Sequence, residues 1–219
     1  MPHTLVLVPT NAERNLLAPL LAAALGNHDR VELCGFGPVA AAARTAALIA
    51  THAPARVILV GIAGRYHDRL EIGAAYSFAR VACFGVGVGS DEGFVPAGTL
   101  GWQQWPGDPP TPAAAIGDVL ECGWPAAASI MSGGLLLTAC AAAASPGDVA
   151  TRTTLFPSAA AEDMEGFAVA LACRLASVPL EIVRGISNTA GDRDHARWQI
   201  PRALAAAAEL TRCMLEGPP

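Results

Sequence analysis

Lysine is absent from the 219 residues: all fourteen basic side chains are arginine, and with the abundance of alanine this reads as a compositional bias that points to no chemistry. Charge is scarce, at 15% of the residues against 53% hydrophobic. So few charges cover a surface poorly, which fits a chain that buries part of itself against another subunit. No basic cluster occurs and the formal net charge is −5, which argues against a nucleic-acid backbone as ligand and for a small molecule. The six cysteines, Cys34, Cys83, Cys122, Cys140, Cys173 and Cys213, never form a close pair, so neither a zinc knuckle nor a redox dithiol is indicated. No apolar run reaches the length that crosses a bilayer. The start, MPHTLVLVP, lacks the basic segment and long apolar stretch of a signal peptide and reads as a strand, so the cytoplasm is the expected compartment.

What is present is an alternation of strand and helix signals. Thr4 to Val8 is a short run of β-formers, followed by Pro9-Thr10-Asn11 and an amphipathic stretch from Ala12 to Leu25 that closes at Gly26. Val31 to Cys34 is a second strand entering Gly35-Phe36-Gly37, and an Ala-rich helix from Pro38 to Thr51 begins on proline. Arg56 to Val60 runs into Gly61-Ile62-Ala63-Gly64, read as a strand that ends in a glycine turn. Gly73 to Val88 is β-rich, and the stretch from Thr99 to Pro125, with Trp102, Trp105 and Trp124 among Pro and Gly, reads as irregular. Leu135 to Ala139 is a further strand, Pro146 to Leu155 a helix capped by Ser145, and Glu165 to Ser177 another helix. Leu180 to Ile186 is a buried strand, and His195 to Glu216 a long C-terminal helix. The alternation predicts parallel strands with crossover helices, and the fold expected is an α/β protein, a single three-layer α/β/α domain over residues 1–219 with a central mixed sheet and an irregular loop region at 99–130.

In open α/β sheets ligands bind beyond the carboxyl ends of the strands, which makes the turns the places to look. Thr10 to Glu13, Gly35 to Gly37, Gly61 to Gly64 and Ser187-Asn188 carry usable groups there. Each has a plain structural reading as well. Glu13 alone is a first-turn acid favoured by the helix dipole, and Glu165 alone is a helix-start carboxylate. Gly61-Ile62-Ala63-Gly64 lacks the ending and spacing of a phosphate loop and reads as a turn of close approach. Glu181 and Arg184 interrupt a core-like run that ends in Ser187-Asn188, where Asn188 alone is a common turn former. The five histidines are scattered and no Ser-His-Asp set is formed, so covalent nucleophilic chemistry is unsupported.

Together these segments resemble the nucleoside phosphorylase and nucleosidase superfamily over nearly the whole chain. The resemblance is carried by Glu13-Arg14-Asn15-Leu16-Leu17, Gly35-Phe36-Gly37, Gly61-Ile62-Ala63-Gly64, Phe156-Pro157, Asp163-Met164-Glu165-Gly166 and Arg184-Gly185-Ile186-Ser187-Asn188, in matching order and spacing. Within it, Met164-Glu165-Gly166, Ser187-Asn188, Gly191-Asp192-Arg193-Asp194 with Trp198, and Asp91-Glu92-Gly93-Phe94 resemble the futalosine hydrolase branch. That branch implies hydrolysis of futalosine to hypoxanthine and dehypoxanthine futalosine, on an alternative route to menaquinone, without metal or organic cofactor. By the same resemblance Glu13 activates water, Asn188 reads a 6-oxopurine, Glu165 holds the ribose hydroxyls and Met164 packs on the sugar. Ile62, Ala63, Gly64, Ala142, Ala143, Ser187, Phe36 and Phe94 complete the pocket, with Trp198 over the 5′ substituent. Cys140 to Ala144 departs from members that carry larger or polar pocket residues there.

Arg193 and Arg197 are candidates for the carboxylate of a futalosine 5′ group; the plainer alternative pairs Arg193 with Asp192 or Asp194. The competing activities are a purine nucleoside phosphorylase, for which Arg65 is the one cation beside the Gly61–Gly64 segment, and a methylthioadenosine or adenosylhomocysteine nucleosidase, disfavoured by Asn188 where adenine-specific members place Asp. A non-catalytic nucleoside sensor is the reading from another class. The expected partners are a small-molecule nucleoside and further copies of the chain, as a homodimer or larger homo-oligomer, with no nucleic acid and no membrane.

Overall fold

The computed structural model describes residues 3–90, 93–107, 115–122 and 132–216. All five side chains of β1 (Thr4–Val8) are buried, which requires helices on both faces of the sheet. They alternate: Leu5 and Leu7 join one core and Val6 and Val8 the other, as do Val57 and Leu59 against Ile58 and Val60 in β3 (Arg56–Arg65). Helices α1 (Asn11–Leu21) and α5 (Ile200–Glu216) cover the second face through Leu17, Leu21, Leu204 and Ala207. Helices α2 (Pro38–His52) and α4 (Gly166–Leu175) cover the first through Ala41, Leu48, Phe167 and Val169, and α3 (Pro146–Leu155) forms with Ser145 as its cap. The result is the expected three-layer α/β/α arrangement.

The main sheet runs β2 (Arg30–Leu33), β1, β3, β10 (Ala159–Asp163), β9 (Leu135–Ala139), β5 (Arg80–Phe84) and β8 (Val119–Glu121), with β11 (Leu180–Thr189) paired to β3 and to β4 (Ala75–Ser77). The pairs β10–β3, β5–β8 and β11–β4 are antiparallel and the rest of this sheet is parallel, so it is mixed. A small ribbon, β6 (Gly87–Val88) with β7 (Val95–Pro96), stands beside it.

Three local expectations are corrected. Gly61-Ile62-Ala63-Gly64 is not a turn: β3 continues through it to Arg65, because β11 stays paired with it in parallel as far as Arg65, with one register shift after Ile186, and β10 joins its far end. The expected C-terminal helix is divided into a 3₁₀ turn at His195–Arg197, capped by Asp194, and α5 from Ile200. Pro201 explains the division, since proline breaks a helix interior but fits a first turn. Helix α1 stops at Leu21 rather than Leu25, where Ala24 N–H bonds back to Leu21 O. Two strands had no clear sequence signal. β10 is Ala-Ala-Ala-Glu-Asp, poor in β-formers, and β8 lies inside the supposedly irregular region, of which 108–114 and 123–130 fall outside the described residues. Among the described residues no helix is long and apolar enough to cross a membrane.

Candidate functional site

At the carboxyl ends of β1, β3 and β11 the sheet opens into a cavity of about 350 Å³. Glu13 reaches it from the first turn of α1, where Thr10 caps the helix: Glu13 N–H donates to Thr10 Oγ1 at 3.2 Å and Thr10 Oγ1 donates to Glu13 Oε2 at 2.7 Å. The other carboxylate oxygen accepts from Ile62 N–H at 3.1 Å, which fixes the acid against β3. Gly61 permits this approach. A Cβ there would overlap Arg184 Nη1 and lie 2.8 Å from Glu13 Oε1.

At the cavity floor lies a buried cluster of charges. Arg184, on β11, is fully buried and donates through Nε and Nη2 to Asp163 Oδ2, at 3.0 and 2.5 Å, and through Nη2 to Glu165 Oε2 at 3.4 Å. Its Nη1 has no hydrogen-bond partner among the described residues. Burial opposes the guanidinium charge, but Asp163, Glu165 and Glu13 outweigh it and hold the group protonated more firmly than an ordinary arginine. Asp163 is the capping acid of α4, accepting from Gly166 N–H at 2.8 Å and Thr138 Oγ1 at 2.6 Å. Glu165 makes no cap and instead accepts from Gly37 N–H at 3.0 Å across 128 positions of sequence. Burial pushes the Glu165 carboxyl up to about 7; the Arg184 charge works against the rise and Asp163 adds to it.

The far end of β11 carries a bulge. Ile186 pairs with Ala63 and Asn188 with Gly64, leaving Ser187 as the extra residue, so that neighbours that would point to opposite faces both line the cavity. Ser187 Oγ donates to Asn188 Oδ1 at 2.7 Å, and Asn188 Nδ2 donates to Thr189 O at 2.9 Å. The oriented amide retains one donor hydrogen and one acceptor position.

Of the residues singled out from the sequence, Glu13, Phe36, Ile62, Ala63, Gly64, Ala142, Ala143, Met164, Glu165, Ser187, Asn188, Arg193 and Trp198 all line this one cavity. Phe94 does not. It packs on Phe84, ring centroids 5.0 Å apart, and lines a separate cavity of about 450 Å³ with Arg152, because the β6–β7 ribbon carries it away from the strand ends. Arg197, not Arg193, pairs with Asp192 and Asp194, at 2.9 and 3.2 Å. Arg193 makes no ion pair or hydrogen bond among the described residues and lies over the Trp198 ring, 5.1 Å from its centroid, while His195 stacks at 4.3 Å from that ring. Arg65 turns away, bound to Leu70 O and Asp68. Sequence reading missed Glu162 and His195 as lining residues and Arg184 as the cation under the floor. A charge that ends or interrupts an apolar run, as at Glu162 and Arg184, was the available signal.

Fold and cavity together define an α/β protein with a cavity at its strand ends set against a pair of buried carboxylates, Glu13 and Glu165. The model of the phosphorylase superfamily matches residues 24–216. The chain belongs to the phosphorylase superfamily. A futalosine hydrolase from Streptomyces coelicolor is 32% identical over 180 residues, 80% of this chain and 73% of that protein. A 5′-methylthioadenosine/S-adenosylhomocysteine nucleosidase from Hydrogenovibrio crunogenus is 32% identical over 186 residues, 83% of this chain and 77% of that protein. Among solved structures, the same kind of nucleosidase from Neisseria meningitidis, in complex with methylthio-immucillin-A, superposes with a TM-score of 0.78 at 20% identity over 99% of each chain. The futalosine hydrolase of Helicobacter pylori gives 0.74 at 18% identity over 96% of each chain. At such identities the structural likeness speaks to the fold.

Proposed function

We propose that the protein is an N-glycosyl hydrolase that cleaves futalosine to hypoxanthine and dehypoxanthine futalosine. Glu13 takes a proton from a water held between its carboxylate and the unpartnered Nη1 of Arg184. The water oxygen bonds to C1′ as the bond from C1′ to the purine nitrogen breaks, the electron pair leaves on the base, and the base takes up a proton from solvent while Glu13 gives its own back. Glu165 accepts from the ribose hydroxyls and, ionised, stabilises the developing positive charge on the sugar. The remaining Asn188 donor serves N7 or O6 of a 6-oxopurine and its acceptor serves N1–H, a match that a carboxylate at that position makes only when protonated.

The observation that carries the choice of futalosine is Arg193, free of any carboxylate, laid on Trp198 in the same cavity as Glu13 and Glu165. An aryl carboxylate on the 5′ side would find there a ring to stack on and a planar fork to grip it. Phosphorolysis is less well supported, since Glu13 would repel phosphate and Arg65 is engaged elsewhere. The deciding assay incubates the protein with futalosine, inosine and methylthioadenosine, with and without phosphate, and identifies base and sugar by mass spectrometry. Hypoxanthine release from futalosine at a rate indifferent to phosphate is expected. Faster adenine release from methylthioadenosine, a sugar phosphate product, or binding without turnover would overturn the assignment in favour of a methylthioadenosine nucleosidase, a phosphorylase or a sensor respectively.

We also infer a homo-oligomer, from exposed Val86, Val88, Leu100 and Trp102 on a chain with few charges to cover itself. A monomeric mass by light scattering would refute this.

A further inference from the structure

The cavity wall formed by the segment after β9 has no side chain with which to anchor itself. Cys140 is followed by four alanines, and Ala142 and Ala143 contribute only methyl groups and backbone to the lining. Its backbone is clamped from behind instead. Ala143 N–H donates to Glu162 Oε1 at 2.8 Å, Arg152 Nη2 donates to Ala141 O at 3.0 Å, and Ala144 N–H donates to Asp148 Oδ2 at 2.8 Å. Glu162 Oε2 meanwhile accepts from Arg152 Nη1 at 2.5 Å and Tyr66 Oη at 2.7 Å, and both members of the ion pair are more than nine-tenths buried. The guanidinium packs over the Phe84 ring on its far side, 5.2 Å from the centroid. Burial, reinforced by the Glu162 charge, pushes the Tyr66 phenol up, so it remains a neutral donor.

A buried ion pair costs desolvation and is weak support for stability in itself. Among the described residues this one makes no hydrogen bond or ion pair to Glu13, Arg184 or Asn188, so water activation and the hydrogen bonds to the base edge do not call for it. What it touches is the backbone of the alanine wall, at both Ala141 and Ala143. A purine lying against methyl groups gains little from the wall's side chains, and its affinity then depends on how firmly the backbone is held where the base needs it.

We propose that Glu162 and Arg152, with Tyr66, are positioning residues that set base affinity and base selectivity by locking the Ala141–Ala144 backbone against the purine. The inference rests on the reading of this cavity as a purine nucleoside site. It does not rest on futalosine as the particular substrate.

The test uses the full chain and two variants of different severity. Arg152→Met combined with Glu162→Gln removes the pair without stranding a charge, and the amide oxygen can still accept from Ala143. Tyr66→Phe removes a single hydrogen bond and keeps the ring. Binding of free hypoxanthine and free adenine is measured by calorimetry, and KM and kcat on the cleaved nucleoside by base release. The double variant should weaken hypoxanthine on the order of tenfold, narrow the hypoxanthine-to-adenine ratio and raise KM with kcat changed little, and Tyr66→Phe should give the same pattern at about threefold. Unchanged base affinity and selectivity with a shift only in melting temperature would overturn the proposal, and so would a fall confined to kcat; should the double variant not fold, the Tyr66→Phe result decides alone. A wild-type protein that prefers adenine would defeat the futalosine assignment and leave this inference standing on adenine, whereas one that binds no purine base would defeat both.

Discussion

Glu13 and Glu165 are both buried carboxylates in one cavity, and their neighbours separate their tasks. Glu13 accepts from one hydroxyl and one backbone N–H and adjoins the unpartnered Arg184 Nη1. In the proposed reaction Glu13→Gln should therefore preserve folding and ligand affinity while cutting turnover by about two to four orders of magnitude, because the amide takes no proton. Single-turnover base release checks it, and a rate near normal would remove Glu13 from the chemistry. Glu165 holds its proton to about 7 in the folded chain, whereas an unfolded glutamate releases it at about 4.3. Between those values the folded protein binds the extra proton, so this residue's contribution to stability falls as pH rises through that window and is lost above it. Melting temperatures of Glu165→Gln across the window should lack that decline. An identical profile for the variant and the wild type would show that the carboxyl ionises as it does in water.

At the scale of elements, β11 and α5 carry the site on a contact that leaves no space for a side chain. A Cβ on Gly185 would overlap the Ala203 carbonyl oxygen, so helix backbone rests directly on strand backbone. Ile200 and Leu204 of that helix line the cavity. Gly185→Ala should cost about 1 to 3 kcal/mol by forcing the helix outward and raise KM as the cavity widens, which urea denaturation and steady-state kinetics would read together. Unaltered stability would mean that α5 shifts freely on the sheet. The glycine run of β3 belongs to the same scale. Gly61 lets the Glu13 and Arg184 side chains close in on the strand, and the strand needs no turn to do so.

Over the whole molecule the net charge of −5 repels an anion at long range, so recognition of an anionic substituent must come from a local cation. Arg193 is placed for it and Arg197 is not, being tied to Asp192 and Asp194. Arg193→Ala should raise KM for futalosine about tenfold or more, the worth of one charged hydrogen bond, and spare inosine, which carries no such group. Equal losses on both substrates would reduce Arg193 to a part of the turn before α5.

By itself the sequence determined the order of most strands and helices, though not β8 or β10, along with the three layers and the segments that meet in the cavity, because periodicity, caps and glycine placement are local signals that act over a few residues. Glu13, Met164, Glu165, Ser187 and Asn188 were legible in this way, as members of a spaced set whose single elements each had a plain reading. Only the tertiary structure decided that Gly61–Gly64 extends β3, that Phe94 belongs to another cavity, and that Arg197 takes the aspartates and leaves Arg193 free. It alone joined Glu165 to Gly37, Glu13 to Ile62 and Glu162 to Ala143. Those contacts follow from strand register, from the bulge at Ser187 and from how helices pack across the sheet, and such long-range geometry leaves no mark on the spacing of neighbouring residues.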